Sequence, residues 1–295
     1  MAVAVVGAYT LDLYMFGERL PGSGETVNCG DYAEAHGGKG ANQAVAARRA
    51  GASAALIARI GSDPMGESAL KLFRDEDLDL SGLVVAAGER TGASFVIVDQ
   101  AGRQIITTFA GASFSLSLQD VRRANRLLHS ASVMLLQGEI DPAVSLAAAR
   151  RAGSATRVVL DPSPVEAFPD PAVFGPVDIL TPNEQEATAL TGQVTPSAYD
   201  VADACRTPVV LLTRGADGVE VYDHGRMYSV AAPPAEKVVD TTGAGDAFNG
   251  ALAAALDRGQ ELRGAVEQAC RYASRSVARR FCIPSYPRLD NYLWS

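Results

Sequence analysis

The sequence predicts an α/β fold in three layers, a mostly parallel central sheet covered by helices on both faces, with a small β-sheet lid added to it. Three observations carry that prediction. Brief apolar runs bounded by Gly, Pro, Asp or Asn recur along the chain, as strands buried on both faces do. Stretches with helix-capping signals alternate with them, the sign of strand–helix–strand units. Two stretches, residues 13–34 and 90–112, break the rhythm and supply the lid. A chain of 295 residues, 47% hydrophobic and 20% charged, has the length and composition to bury such a core.

Residues 2–6 form an apolar run closed by Gly7, the first buried strand. A helix over 41–50 stops at Gly51, suited to the residue just past a helix end. The run 54–60 is the next strand, and Asp63 before Pro64 reads as an N-cap followed by proline in the first helical position. Residues 94–98 and 105–109 alternate around Gly102, the pattern of an exposed antiparallel hairpin. A strand over 132–136 leads to Asp141 and Pro142, a second cap-and-proline start, whose helix ends near Gly153. Further strands fall at 157–160, 178–180 and 209–212, and a helix covers 247–256. No repeat, charge run or linker-like tract intervenes, so residues 1–295 are expected to form a single domain with the two lid segments inserted.

Lys and Arg number 26 against 34 Asp and Glu, a net charge of −8. That balance argues against a general nucleic-acid or anionic-membrane binder. The four cysteines, Cys29, Cys205, Cys270 and Cys282, include no Cys-x-x-Cys pair, so neither a disulfide framework nor a zinc knuckle is expected. The first residues carry no basic region, and their apolar run breaks at Gly7, too early for a signal peptide or a spanning helix. A cytoplasmic protein without nucleic-acid or membrane partners is the expectation.

Four segments carry chemistry. Gly37-Gly38-Lys39-Gly40-Ala41-Asn42-Gln43-Ala44 is a glycine cluster running into a helix, a junction that exposes backbone N–H groups and lets a ligand approach the chain. It is not a P-loop, since Ala33 and Gly40 stand where Gly and Ser or Thr are required. Nor is it a dinucleotide fingerprint, since Gln43 takes the place of the last glycine. Lys39 is one of three lysines in a chain that otherwise uses Arg. Its compact ammonium beside the Asn42 amide suits a small polyhydroxylated ligand; the alternative is a solvated Lys in a turn. In the second segment, Gly243-Ala244-Gly245 opens a helix whose first N–H groups can hold an anion, with Asp246 beside them to accept a hydroxyl proton. An isolated Asp there would usually be a helix cap, an alternative that the preceding Gly-Ala-Gly disfavours.

The third segment, Thr181-Pro182-Asn183-Glu184-Gln185-Glu186, closes a strand and opens a helix. Asn183 and Glu186 can hold the water shell of a Mg²⁺, or they can form a capping box. The fourth, residues 213–218, has glycines that let backbone approach a nucleotide, and a hairpin turn would look the same. Asp12 and Glu139 are acids at strand exits, where open α/β sheets bind ligands, or else solvated loop acids.

Together these segments resemble the ribokinase-like (PfkB) carbohydrate kinases over nearly the whole length and in the same order. The 37–44 segment is similar to that family's sugar-binding signature, and 240–250 to the signature carrying its anion hole and base. The resemblance implies a ribokinase-like fold and ATP-dependent phosphorylation of a sugar hydroxyl, the 5-hydroxyl of D-ribose first among them. It implies Asp246 as general base, Gly243, Ala244 and Gly245 as anion hole, and Asp12, Gly38, Lys39, Asn42 and Glu139 as sugar contacts. Thr10 stands where the family usually has Asn. Asn183 and Glu186 would organise Mg²⁺ through water, and Thr213, Gly215 and Gly218, with Asn183 and Gly245, would meet ATP. Asp240, Thr242, Ser276, Phe281 and Ser285 resemble a monovalent-cation loop, with K⁺ as its ion, although the family usually has Gly where Phe281 stands. The lid would close over the sugar, excluding water, and pair two subunits into a homodimer. Three other readings are a kinase for another small sugar, sugar derivative or nucleoside, a non-catalytic sugar sensor, and a dinucleotide-dependent oxidoreductase. The intact Asp246 with its Gly-Ala-Gly disfavours the sensor, and the failed glycine spacing disfavours the oxidoreductase.

Overall fold

The computed structural model describes residues 2–169 and 171–288. The single-domain expectation for 1–295 therefore extends at both ends beyond the described residues. Eight strands make the central sheet, in the spatial order Arg226–Val230, Val219–Asp223, Val209–Thr213, Ile179–Leu180, Arg157–Leu160, Val133–Leu136, Val3–Val6 and Ala54–Ile57. The last six are parallel, and the first two form an antiparallel hairpin at the edge. Along Val3–Val6 the period-two rule sorts side chains between two cores, Val3 and Val5 on one face, Ala4 and Val6 on the other. Helices Lys39–Arg49, Ala244–Asp257 and Leu262–Ser276 cover the first face. Helices Leu118–Arg123, Pro142–Ala149, Glu184–Thr191 and Ala198–Cys205 lie over the second.

The caps read from the sequence are present. Asp63 accepts from Gly66 N ahead of Pro64–Asp75, and Asp141 accepts from Ala143 N ahead of Pro142–Ala149. The run 54–60 divides: after Ile57 the chain leaves the main sheet, and Arg59–Gly61 pairs with Val84–Ala86 instead.

The lid is a second sheet, ordered Asp31–Gly37, Thr10–Phe16, Gly92–Val98 and Gln104–Phe109, whose central pair is parallel and whose outer pairs are antiparallel. Its first two strands reach beyond residues 13–34 at both ends, because Thr10, Leu11, Ala35 and Gly37 are buried where the lid joins the body and lose the alternation that marks an exposed strand. Asp12 is therefore inside a lid strand, opposite Ala35 and Ser94, rather than in a loop at a strand exit. The hairpin around Gly102, which adopts φ 78°, lies where its pattern indicated.

Val3–Val6 is flanked by Ala54–Ile57 on one side and Val133–Leu136 on the other, so successive crossovers depart in opposite directions. Such a reversal opens a crevice at the carboxyl ends of the strands. The lid strands leave from the same edge.

Candidate active site

Two helix N-termini meet in this crevice, and glycine is what lets them. Gly38 has φ 82°, and a Cβ on it would lie 2.6 Å from the Tyr9 Cα; one on Gly40 would lie 2.6 Å from the Gly7 carbonyl carbon. The start of Lys39–Arg49 is thereby pressed against the exit of the first strand. Ala244–Asp257 begins at Gly243, with φ 77° and no room for a Cβ beside Cys282 Sγ at 2.6 Å. The two helices cross at Gly250, where a Cβ would come within 2.4 Å of Ala46 Cβ. That close crossing sets Asn42 and Gln43 beside Asp246.

Asp246 is 4% exposed. Asn42 Nδ2 donates to its Oδ2 at 3.0 Å, and Gln43 Nε2 donates to its Oδ1 at 3.0 Å. Lys39 Nζ lies 3.8 Å from the same Oδ1 and donates to Asp161 Oδ2 at 3.3 Å, while the Lys39 main-chain N–H donates to Glu139 Oε2 at 2.7 Å. Gln43 Nε2 also donates to Asp161 Oδ2 at 2.9 Å. Lys39, Asn42, Glu139 and Asp246, singled out in the sequence, are thus joined in one network with Asp161 and Gln43.

Burial alone would weaken the Lys39 ammonium, but Asp161, Asp246, Glu139 and Glu186 outweigh it and keep the group protonated. Burial pushes Glu139 up to about 7, against the pull of Lys39. It pushes Asp161 up to about 7 as well, Lys39 again opposing. The buried Asp161 and Asp246 and the half-buried Glu139 around one ammonium leave a surplus of acceptors, and Asn42 Oδ1 is a further buried acceptor without a partner among the described residues. Hydroxyl donors fit such a set. From the lid, Asp12 accepts from Thr10 Oγ1 at 2.9 Å, and its carboxylate fills the space a Cβ on Gly37 would need, 2.2 Å from Asp12 Oδ2. Burial raises Asp12, with the Thr10 hydrogen bond opposing.

The N–H groups of a helix's first turn have no intrahelical partner. Beside Gly245 a Cβ would meet nothing within 4 Å, so that end of Ala244–Asp257 is open to an approaching anion. Asn183 and Glu186 make the capping box: Asn183 Oδ1 accepts from Glu186 N, and Glu186 Oε2 accepts from Asn183 N, each at 2.9 Å. Glu186 still reaches Lys39 and Asp161 electrostatically, so its carboxylate acts on the cleft. Among the described residues no group of three or more His, Cys, Asp or Glu converges on a metal site. A Mg²⁺ fits here as an ion that keeps its waters and substrate phosphates as ligands.

Asn183 bridges to Thr213 across the strand ends, and Thr213 Oγ1 donates to Pro182 O at 3.3 Å. The 213–218 segment is a hairpin connection between antiparallel strands, with Gly215 at φ 55° in open space and Gly218 at φ 95° against Val230 O. Arg214 is spent on Glu184 and Glu220.

Among the residues that resemble the cation loop, Asp240 accepts from Thr242 N and Phe281 N, each at 2.9 Å. The Ser276 and Ser285 hydroxyls donate to the Ala273 and Cys282 carbonyls. Phe281 stands at φ 65° and ψ 164°, a conformation held almost entirely by glycine. The Asp240 hydrogen bond and the Tyr14 ring, 4.9 Å away, hold it there, so the backbone keeps a glycine-like course with Phe in place.

Asp161 and Gln137 escaped the sequence reading, and Gln43 served only to reject a dinucleotide motif. Asp161 directly follows the apolar run 157–160, the same strand-exit position that drew notice to Glu139. Gln137 follows the 132–136 run but bears no charge, and outside the four segments an uncharged amide gives no signal of its own.

Residues 2–289 match the model of the pfkB family of carbohydrate kinases. The chain is 36% identical over 262 residues to a ribokinase of Mus musculus, covering 85% of this chain and 80% of that protein. It is 33% identical over 292 residues to a ribokinase of Haemophilus influenzae, covering 97% and 95%. In three dimensions it is similar to Arabidopsis thaliana ribokinase complexed with ribose and ATP, with a TM-score of 0.87, 29% identity and coverage of 99% and 97%. It is equally similar to Thermotoga maritima ribokinase, with a TM-score of 0.89 and 27% identity over 99% and 97%. A family match across almost the whole described chain, with these relatives and this cleft, makes the chain a member of the pfkB family of carbohydrate kinases.

Proposed function

We propose that this kinase transfers the γ-phosphoryl group of ATP to the 5-hydroxyl of D-ribose. The observation that carries the reading is Asp246: a buried carboxylate, held by Asn42 and Gln43 from the glycine-cluster helix, in the first turn of a helix opened by Gly243, Ala244 and Gly245. Lys39, Asn42 and Glu139, with Gly38 and the lid's Thr10 and Asp12, bind the sugar. Asp246 takes the hydroxyl proton as that oxygen attacks the γ-phosphorus. The bond from phosphorus to the bridging oxygen breaks, ADP leaves, and the N–H groups at Gly243 to Gly245 take up charge on the transferred group. Thr213, Gly215, Gly218 and Asn183 contact the nucleotide. Magnesium, organised through water by Asn183 and Glu186, would neutralise phosphate charge when bound.

The glycine-like backbone at Phe281 supports a K⁺ site at Asp240, Thr242, Ser276, Phe281 and Ser285. The lid's outer face exposes Tyr32, Phe95, Ile105 and Phe109 at 40–55%, which supports a homodimer through the lid. Sedimentation of wild type and of Phe95→Glu tests it, a monomeric variant being expected. Four free cysteines, three of them buried, fit a reducing cytoplasm. Among the described residues no helix is long and apolar enough to cross a membrane.

One observation favours a second substrate class. A cavity of about 1160 Å³ lies between the lid's inner face and the 238–242 and 280–281 loops, walled by Tyr14, Phe16, Val96 and Phe281. It contains none of the sugar contacts but adjoins them, Tyr14 being two residues beyond Asp12 on the same lid strand, so a base carried by the sugar would extend into it. ADP release from MgATP, measured against ribose, other pentoses, hexoses and nucleosides with and without K⁺, separates the readings. Ribose as best substrate, with K⁺ stimulation, is expected; a nucleoside preferred over ribose would move the specificity to that aromatic wall.

A further inference from the structure

We infer that Gln43 is a positioning residue for the transfer proposed above, acting through Asp246, and that Gln137 fixes its orientation. The inference rests on the reading of Asp246 as the base. Gln43 and Gln137 are both 0% exposed. Gln43 Nε2 lies between two carboxylates, 2.9 Å from Asp161 Oδ2 and 3.0 Å from Asp246 Oδ1, and Gln43 Oε1 accepts from Gln137 Nε2 at 2.6 Å. Asp246, read as the base, is an ionised acceptor, so the amide nitrogen has to face it. The flipped amide would set its carbonyl oxygen against both acids and its NH₂ against the NH₂ of Gln137. Gln137 is itself confined by the first strand's exit, since a Cβ on Gly7 would lie 2.1 Å from Gln137 Oε1.

Among the described residues the two carboxylates are otherwise joined only through Lys39, at 3.3 Å from Asp161 and 3.8 Å from Asp246. Gln43 puts two neutral N–H bonds between them. It thereby ties Asp246 Oδ1 and Asp161 Oδ2 together independently of Lys39. With Gln43 gone, both acids depend on one ammonium, and Asp246 is no longer held at Oδ1 by a neutral donor. The Glu139 and Asn42 side chains, read as sugar contacts, are held by partners other than Gln43 and remain.

The test is steady-state kinetics with ribose, alongside calorimetric ribose binding, for wild type, Gln43→Leu, Gln137→Met, Asp246→Asn and the Gln43→Leu/Asp246→Asn and Gln137→Met/Asp246→Asn double variants. Misplacing a reacting group by about 1 Å costs up to roughly 100-fold, so Gln43→Leu is expected to lower kcat about 10- to 100-fold, with KM and ribose affinity within about threefold. Gln137→Met should lower kcat by about 3- to 10-fold in the same pattern. In the Asp246→Asn background, either change should cost less than about twofold, because the base carboxylate that Gln43 positions is gone. A raised KM with unchanged kcat, or an equal loss in both backgrounds, overturns the inference. Should Gln43→Leu not fold, the Gln137→Met cycle decides on the same criterion. Absence of turnover by the wild type would overturn the kinase reading itself, whereas wild-type turnover with an unimpaired Gln43→Leu would overturn only the positioning role.

Discussion

The floor of the cleft around Asp246 and the rim formed by the 183–186 and 213–218 segments are built by different means. On the floor, side chains from distant parts of the chain bind one another: Asn42 and Gln43 to Asp246, Lys39 to Asp161, and Glu139 to the Lys39 N–H. On the rim, backbone does most of the work, and the polar side chains serve local structure, as in the Asn183 and Glu186 capping box and the Thr213 hydroxyl on Pro182 O. A preorganised floor discriminates one hydroxyl from another by fixed donors and acceptors. A backbone rim suits a phosphate chain, which any N–H can hold.

The largest effect that would sharpen this contrast comes from glycines. Gly38→Ala meets both a positive φ and backbone at 2.6 Å, so it should cost on the order of 2–4 kcal/mol and displace Lys39. Gly215→Ala, at φ 55° in open space, should cost about 1 kcal/mol. Denaturant unfolding of both variants checks the pair; equal costs would break the distinction between floor and rim.

An intermediate effect separates the two roles of Asn183. Asn183→Ala removes the cap and should cost about 1 kcal/mol, whereas Asn183→Ser keeps a capping hydroxyl and should hold stability within a few tenths. If the amide also orders the metal's water, both variants raise the Mg²⁺ concentration for half-maximal activity. An unchanged Mg²⁺ requirement in both would leave Asn183 a cap alone.

What the sequence disclosed follows the same division. The buried strands and the cap-and-proline helix starts were legible because apolar runs and Asp-Pro pairs act locally. The lid boundaries were misjudged at Thr10 and Gly37, where tertiary burial erases the alternation of an exposed strand. The edge strands Val219–Asp223 and Arg226–Val230 and the helix Leu262–Ser276 were not read either; the tight turn at His224 and Gly225, both at positive φ, was the available signal for the hairpin. On the floor, charged residues near glycines drew notice, while Gln43 and Gln137 did not. Their value lies in which neighbour each faces, and that is set by the crossing of two helices at Gly250. On the rim, a cap and a metal-water motif share one pattern, so residue types alone leave both open.

The smallest effect is a pH dependence of stability that the floor imposes and the rim does not. Glu139 and Asp161 rise from ordinary values of 4.5 and 3.8 to about 7 in the folded chain. The folded state therefore binds more protons than the unfolded state between those limits, and this contribution to stability is lost as pH rises toward and through about 7. Carboxylates held low, such as Asp63, Glu76 and Asp120, work in the opposite direction, but their contribution is complete above about pH 5 and fades only below it. Without ligands, Tm should fall between about pH 5.5 and 7.5, and Glu139→Gln should flatten the slope. A Tm that rises over that window, or a slope unaffected by Glu139→Gln, would contradict the electrostatics of the floor.

The central claim is that Asp246 takes the proton from the sugar hydroxyl. The most direct measurement is the rate of ADP formation by Asp246→Asn with saturating ribose and MgATP, with ribose affinity measured on the same preparation. Loss of a general base predicts a fall of roughly 10²- to 10⁴-fold with ribose affinity largely retained; turnover near that of the wild type would contradict it.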